Sequence, residues 1–338
     1  MQDETTDRSI GIGGDISIAA AHPLDLAIAL LSRWSKLFSH GWGEEWLLTE
    51  LTERVSYADP PSSISIMWSP RGERDGVMQR DGAFASPLAL LPKEASTAHV
   101  RAWTRGGNDA AVVILAASRD EGYQVRERVF GPLIRRSIDL YFMENPFYGL
   151  RRTRGGPSLI TVSDHGLMVL GMVWEARALL EHLRNRYEKV AVAGYSMGGH
   201  MAAITAAVTR FPLACAALAA GASASSVYTR GLLSWSVDFT ALGTALGGGA
   251  TRRLAAQERL LRLFAVADVT CFPAPQRPDA AVIAGCRRDG YVLHSETERL
   301  HQHWPGSSLR WISAGHFSAL VSSRRALCNC VADAIDKL

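Results

Sequence analysis

Ser196 stands in Gly194-Tyr195-Ser196-Met197-Gly198-Gly199. Lys189-Val190-Ala191-Val192-Ala193 before it reads as a strand, and His200-Met201-Ala202-Ala203-Ile204 after it reads as a helix. A serine on a sharp strand-to-helix turn has its hydroxyl lifted into a cleft, where it can act as a nucleophile. Such a turn holds its central residue in a sparsely populated backbone region and needs small neighbours, which Gly194 and Gly198 supply. The competing reading is an ordinary turn serine, and the strand and helix around Ser196 weigh against it.

A serine nucleophile needs a base to take its proton and an acid to orient that base. Of the ten histidines, only His316 follows a late strand, Leu309-Arg310-Trp311-Ile312, through the small-residue loop Ser313-Ala314-Gly315. It is the expected base. Asp289 follows the strand Ala280-Ala281-Val282-Ile283-Ala284 after a short loop, leaving room for one helix and one strand before His316. It is the expected acid, with Asp268 as the alternative. Asp164 reads more simply as a first-turn carboxylate favoured by the helix dipole, with Ser163 as the N-cap. Developing negative charge on a substrate oxygen calls for two backbone N–H groups. One is expected from Met197, and the other from Ala117 or Ser118, after the strand at 110–117. No Asp/Glu/His cluster asks for a metal, and His301 and His303 are two apart, which is wrong for a shared metal on a helix. No cofactor is expected.

These residues must be positioned by a framework, and the chain alternates strand and helix from residue 110 onward. Continuous apolar strands in such alternation argue for a mostly parallel sheet covered by helices on both faces. The alternation breaks at 222–278, which contains Trp235, Phe239, a Gly247-Gly248-Gly249 break and an amphipathic helix from Arg252 to Ala267. This stretch is expected to form a helical cap. Trp235, Phe239, Leu254, Leu261 and Phe264 could line a tunnel for a long acyl chain, with Arg252, Arg253, Arg259 and Arg262 facing an anionic head. The competing reading has the apolar side packing on the sheet and the arginines in water. Upstream, residues 1–21 read as disordered and 22–57 as helical, with a stripe of Leu24, Ile28, Leu31, Trp34 and Phe38 ended by Asp59-Pro60-Pro61. Ile64–Trp68 and Val77–Arg80 read as a hairpin joined by a turn at 70–76.

The whole chain has 338 residues, 47% hydrophobic and 20% charged, with a net charge of +3. That balance is ordinary for a globular protein and too small to argue for nucleic acid or an anionic membrane as partner. Peripheral membrane contact is not indicated, and the oligomeric state is not legible. Arg151-Arg152-Thr153-Arg154 reads as a solvated loop. Five cysteines form neither an even framework nor a zinc spacing, which suits free thiols in a reducing compartment. With no secretory signal and no apolar run long enough for a bilayer, the cytoplasm is the expected location.

Several blocks also carry a family resemblance. Glu144-Asn145-Pro146-Phe147-Tyr148-Gly149-Leu150-Arg151, Val162-Ser163-Asp164, the segment around Ser196 and Trp304-Pro305-Gly306 ahead of Gly315-His316 resemble the α/β-hydrolase-domain-containing protein eighteen family. His40-Gly41-Trp42-Gly43 and Gly82-Ala83-Phe84-Ala85-Ser86-Pro87 are similar too. The resemblance implies an α/β-hydrolase fold with Ser196 as nucleophile, Asp289 as acid and His316 as base. It departs where Gly-Thr-Gly-Asp-His is expected and Ala117-Ser118-Arg119-Asp120-Glu121 stands, of which Asp120 alone matches clearly. The expected activity is serine hydrolysis of a carboxylic acyl ester on a small molecule or lipid. The alternatives are acyl transfer between lipids and a non-catalytic binding protein of the same fold.

Overall fold

The computed structural model describes residues 20–54, 63–153, 160–244, 246 and 252–338. Nine strands form one sheet among the described residues: β1 (Met67–Arg74), β2 (Val77–Ala85), β3 (Thr97–Thr104), β4 (Ala110–Leu115), β5 (Ile138–Met143), β6 (Lys189–Tyr195), β7 (Ala214–Leu218), β8 (Ala281–Cys286) and β9 (Ser308–Ile312). Their order is β1-β2-β3-β5-β4-β6-β7-β8-β9. β1, β2, β3 and β5 pair antiparallel, and every pair from β5 to β9 is parallel.

The helices are α1 (Pro23–Ser32), α2 (Glu45–Arg54), α3 (Gln124–Phe130), α4 (Val162–Leu183), α5 (Met197–Val208), α6 (Ser225–Thr229), α7 (Phe239–Thr244), α8 (Arg252–Ala265), α9 (His294–His303), α10 (Ala319–Ser322) and α11 (Arg324–Asp336). Alternation along β4 shows how the sheet is covered, because successive side chains leave a strand on opposite faces. Ala111, Val113 and Leu115 join the core beneath α4 and α5, whereas Val112 and Ile114 join the core beneath α3 and α11. A strand buried on both faces is apolar along most of its length, and β4 accordingly reads as one continuous hydrophobic run. This is an α/β-hydrolase fold. Helices α6, α7 and α8 lie in the connection between β7 and β8. Their own apolar cluster includes Tyr228, Leu242, Ala256 and Leu260, packed with Phe38, Trp42 and Leu48 from the N-terminal segment.

The structure corrects four local expectations. The segment expected to be helical over 22–57 holds two helices, α1 and α2, and the chain between them is not helical but pairs Leu37 with Val237. Of the apolar stripe, Leu24, Leu31 and Trp34 are 39%, 76% and 78% exposed, while Asp25 and Ala29 on the other face are fully buried. Helix α1 thus packs through Asp25, Ala29 and the partly buried Leu26 rather than through the leucines of that stripe. The hairpin turn is shorter than expected: β1 runs through Pro70 to Arg74, and Asp75-Gly76 alone reverse the chain, both at positive φ (53° and 72°). Asp-Gly suits a two-residue hairpin turn, and Pro70 is tolerated because β1 is an edge strand with an irregularity between Pro70 and Gly72. The N-cap of α4 is Thr161 rather than Ser163, in a capping box with Asp164, a device worth about 1 kcal/mol. Finally, Ala21, expected to be disordered, is buried against the cluster containing Leu232 and Tyr291. The Asp59-Pro60-Pro61 stop, Arg154, the Gly247-Gly248-Gly249 break and residues 1–19 lie outside the described residues.

Candidate active site

Ser196 sits between β6 and α5 with φ 57° and ψ −122°. For a residue with a Cβ this is a strained backbone, costing about 1–3 kcal/mol. The surrounding packing imposes it. A Cβ on Gly194 would lie 2.3 Å from the Gly198 carbonyl, and one on Gly198 would lie 2.5 Å from the Leu115 oxygen. Strand, helix start and the neighbouring β4 therefore meet backbone to backbone, and the turn between them has no room to relax. Leu218 anchors it by accepting the Ser196 N–H at 2.8 Å.

Two further loops converge on the hydroxyl. The loop after β9 carries His316, whose Nε2 lies 2.9 Å from Ser196 Oγ. The loop after β8 carries Asp289, whose Oδ2 lies 2.8 Å from His316 Nδ1. The carboxylate's other oxygen accepts the N–H groups of Tyr291 and Val292 at 2.8 and 2.9 Å. Asp289 and His316 are 2% and 4% exposed, so neither partner is screened by water. Burial disfavours the imidazolium. The Asp289 charge and hydrogen bond, joined by the Asp25 charge, outweigh that, and the net shift of His316 is upward. The arrangement allows Nε2 to accept the serine proton while Nδ1–H donates to Asp289.

Asp268, the alternative acid, is elsewhere. Its carboxylate accepts from Thr270 N (2.9 Å), Thr270 Oγ1 (2.6 Å) and Arg299 (2.5 Å), tying the chain after α8 to α9.

Met197 opens α5, so its N–H has no intrahelical acceptor. Met197 and Ser118 line the same cavity as Ser196, and Ala117 immediately precedes Ser118. The Glu144–Arg151 block explains how the loop bearing Ala117 and Ser118 is held without the expected glycines. Tyr148 Oη accepts the Arg119 N–H at 3.0 Å, and Glu144 accepts the Gly122 N–H at 2.9 Å. Arg119 takes the positive φ (64°) that a glycine would otherwise supply. Asp120 pairs with the buried Arg126 at 2.9 Å, although burial keeps its pKa raised. Beneath the block, Arg151 is fully buried against Glu175 at 2.6 Å and is not the solvated loop residue expected.

A cavity of about 1040 Å³, its open mouth included, begins at Ser196. Leu48, Leu51, Val162, Val169, Leu170, Tyr228, Leu263 and Phe264 are among the apolar residues of its wall. Of the residues expected to line a tunnel, Phe264 alone is here. Phe239 is buried in the cluster of α6, α7 and α8, Leu254 and Leu261 are exposed, and Trp235 borders a separate shallow groove with Leu30 and Trp34. The α8 arginines do not line the cavity either: Arg259 pairs with Glu45, and Arg253 lies over the Phe239 ring. The registers of α2 and α4, which supply Leu48, Leu51, Val162, Val169 and Leu170, carry no signal that singles them out from ordinary core. Two histidines border the cavity. His200 contacts the carbonyls of Gly221 and Ala267 at 2.9 and 3.0 Å. His165 lies among Phe38, Tyr228 and Phe264, and burial pushes its pKa down to about 4. Neutral at physiological pH, it leaves the wall uncharged.

Sequence reasoning also missed Asp25, whose carboxylate reaches the backbone of the His316 loop from α1. From sequence it reads only as a first-turn acid.

Comparison with known proteins agrees with this architecture. Among solved structures, an acetyl xylan esterase from Paenibacillus sp. R4 superposes with a TM-score of 0.52 at 12% identity, covering 88% of this chain and 98% of that one. An S-formylglutathione hydrolase from Agrobacterium tumefaciens gives 0.51 at 13% identity, covering 82% and 100%. At such identities the likeness is one of fold. The family is narrower: the model described as "Alpha/beta hydrolase domain containing 18" matches residues 35–253 and 248–337, and the chain belongs to that family. No helix among the described residues is long and apolar enough to cross a membrane.

Proposed function

We propose that the protein is a serine hydrolase that cleaves a carboxylic ester with an apolar acyl group. The single observation that carries this reading is the continuous relay Ser196–His316–Asp289, with contacts of 2.9 and 2.8 Å, opening onto an apolar cavity. His316 takes the Ser196 proton as Oγ attacks the ester carbonyl. The N–H groups of Met197 and of Ala117 or Ser118 stabilise the oxyanion. His316 returns the proton to the leaving alcohol, and water, activated by the same imidazole, releases the acid from the acyl-enzyme. Asp289 keeps the imidazole in the required tautomer and stabilises its charged form.

The acyl group is assigned to the cavity because its wall offers aliphatic and aromatic surface and no ionised side chain. Each methylene moved from water into such a site contributes about 0.8 kcal/mol. A series of p-nitrophenyl esters from acetyl upward tests the reading, with kcat/KM expected to rise with chain length until the cavity is filled. Preference for acetyl over every longer ester would remove the apolar acyl group, and activity retained in Ser196→Ala would remove the mechanism.

A further inference from the structure

Asp25 is the fully buried carboxylate of α1, and among the described residues no lysine or arginine forms an ion pair with it. Its partners are backbone amides of two loops from different strands. Oδ2 accepts the His316 N–H at 2.7 Å and the Gly290 N–H at 3.3 Å, and Oδ1 accepts the Phe317 N–H at 3.0 Å. One carboxylate thus bridges the residue after Asp289 and the backbone of His316 itself. The fit is close: a Cβ on Gly315 would come within 2.3 Å of His22 Cβ and 2.9 Å of Asp25 Oδ2. His22, which caps α1, also donates its backbone N–H to Arg288 O at 3.0 Å.

We propose that Asp25 is a positioning residue for the reaction, fixing the separation of the Asp289 and His316 loops and stabilising positive charge on His316. The proposal rests on the reading of His316 as the base. Both loops leave the sheet at its carboxyl edge, and beyond Arg288 N→Ala314 O (3.0 Å) their strand-like pairing stops. Asp25 takes over from there, since hydrogen bonds to an ionised acceptor are stronger than neutral ones. The groups facing His316 are Asp289 and Asp25, the hydroxyl of Ser196, and the rings of Tyr195, Tyr291 and Phe317. Cys286 and Arg119 lie one neighbour further, beside Tyr195 and Tyr291 respectively. Two carboxylates therefore act on one imidazole: Asp289 through its side chain, and Asp25 through its backbone and through space. Burial of His316 opposes this and is outweighed.

The test uses the full chain and two variants, Asp25→Asn and Asp25→Glu, each checked for folding by circular dichroism. In Asp25→Asn, kcat on the best p-nitrophenyl ester is expected to fall about 10–100-fold, the cost of weakening hydrogen bonds to a charged group. KM should stay within about twofold, because Asp25 does not line the acyl cavity. The acid limb of kcat/KM should move to lower pH. Asp25→Glu keeps the charge and misplaces it, so kcat should fall while the acid limb stays closer to that of the parent. Titration of the His316 ring by 15N NMR reads the same charge without turnover. Its midpoint is expected to drop in Asp25→Asn, whether or not the parent hydrolyses the ester chosen. An inactive parent would count against the hydrolase reading and leave the NMR comparison to decide the role of Asp25. A folded Asp25→Asn variant with unchanged kcat, or with an unmoved imidazole midpoint, overturns the proposal. Should Asp25→Asn not fold, a Glu variant with parental kcat would overturn it equally.

Discussion

The turn at Ser196 and helix α1 both bear on the same imidazole, yet they are built on opposite principles. At Ser196, backbone meets backbone: Gly194 and Gly198 allow contacts that a methyl group would block, and the strained φ follows from them. At α1, a buried side chain does the holding, with the Asp25 carboxylate gathering three N–H groups from two loops. A site held by excluded volume tolerates almost no substitution. A site held by hydrogen bonds degrades in steps, because each bond carries only about 1.5–3 kcal/mol when charge is involved. Under the proposed mechanism, errors at the turn should abolish the reaction and errors at α1 should slow it.

The largest expected effect is at the proposed nucleophile. Ser196→Ala removes the attacking oxygen without adding volume, and turnover should fall by about 10⁶-fold with the fold intact, as measured by ester hydrolysis beside thermal unfolding. Asp289→Asn should follow, with kcat lower by about 10⁴-fold, since an amide favours the wrong tautomer of His316. A variant with near-parental kcat would mean that another group orients the imidazole. Gly198→Ala separates excluded volume from chemistry. Its Cβ would collide with the Leu115 carbonyl, so a drop in unfolding free energy of about 1–3 kcal/mol should accompany loss of activity. An unaltered unfolding midpoint would show the turn to be looser than its contacts imply.

The same contrast separates what was legible in the sequence from what was not. Ser196, His316 and Asp289 stand out because glycine spacing, late-strand position and order along the chain are local or topological signals. The near-continuous apolar runs of β4 to β8 announce a parallel sheet because strands covered on both faces are hydrophobic at almost every position, the buried Asp139 of β5 being an exception. Asp25 gives no such signal, since a first-turn acid is favoured in any helix. For the same reason the stripe of Leu24, Leu31 and Trp34 misleads: periodicity identifies a helix, but the face of α1 that is buried holds Asp25 with the amides it finds, beside Ala29. The cavity wall was illegible for a different reason. Leu51, Val169 and Leu263 come from three separated helices, and nothing local distinguishes a residue packed on core from one facing an empty volume.

Smaller effects should report on the cavity and on pH. Leu51→Trp is expected to shift the optimum toward shorter esters by a few carbons, each lost methylene lowering kcat/KM by about fourfold at ~0.8 kcal/mol. An unchanged chain-length profile would place the acyl group elsewhere. The pH dependence has a definite sign. The proposed base, His316, must be neutral to act, and it is shifted above its ordinary value of 6.5, so kcat/KM should fall as pH drops through a midpoint above 6.5.

The most direct measurement is to treat the intact protein with a fluorophosphonate and map the adduct by peptide mass spectrometry at several pH values. A single adduct on Ser196, fading in step with protonation of His316 and absent from Ser196→Ala, is the predicted result. Failure of the parent protein to react, or an adduct on any other serine, would contradict the assignment of Ser196 as an activated nucleophile.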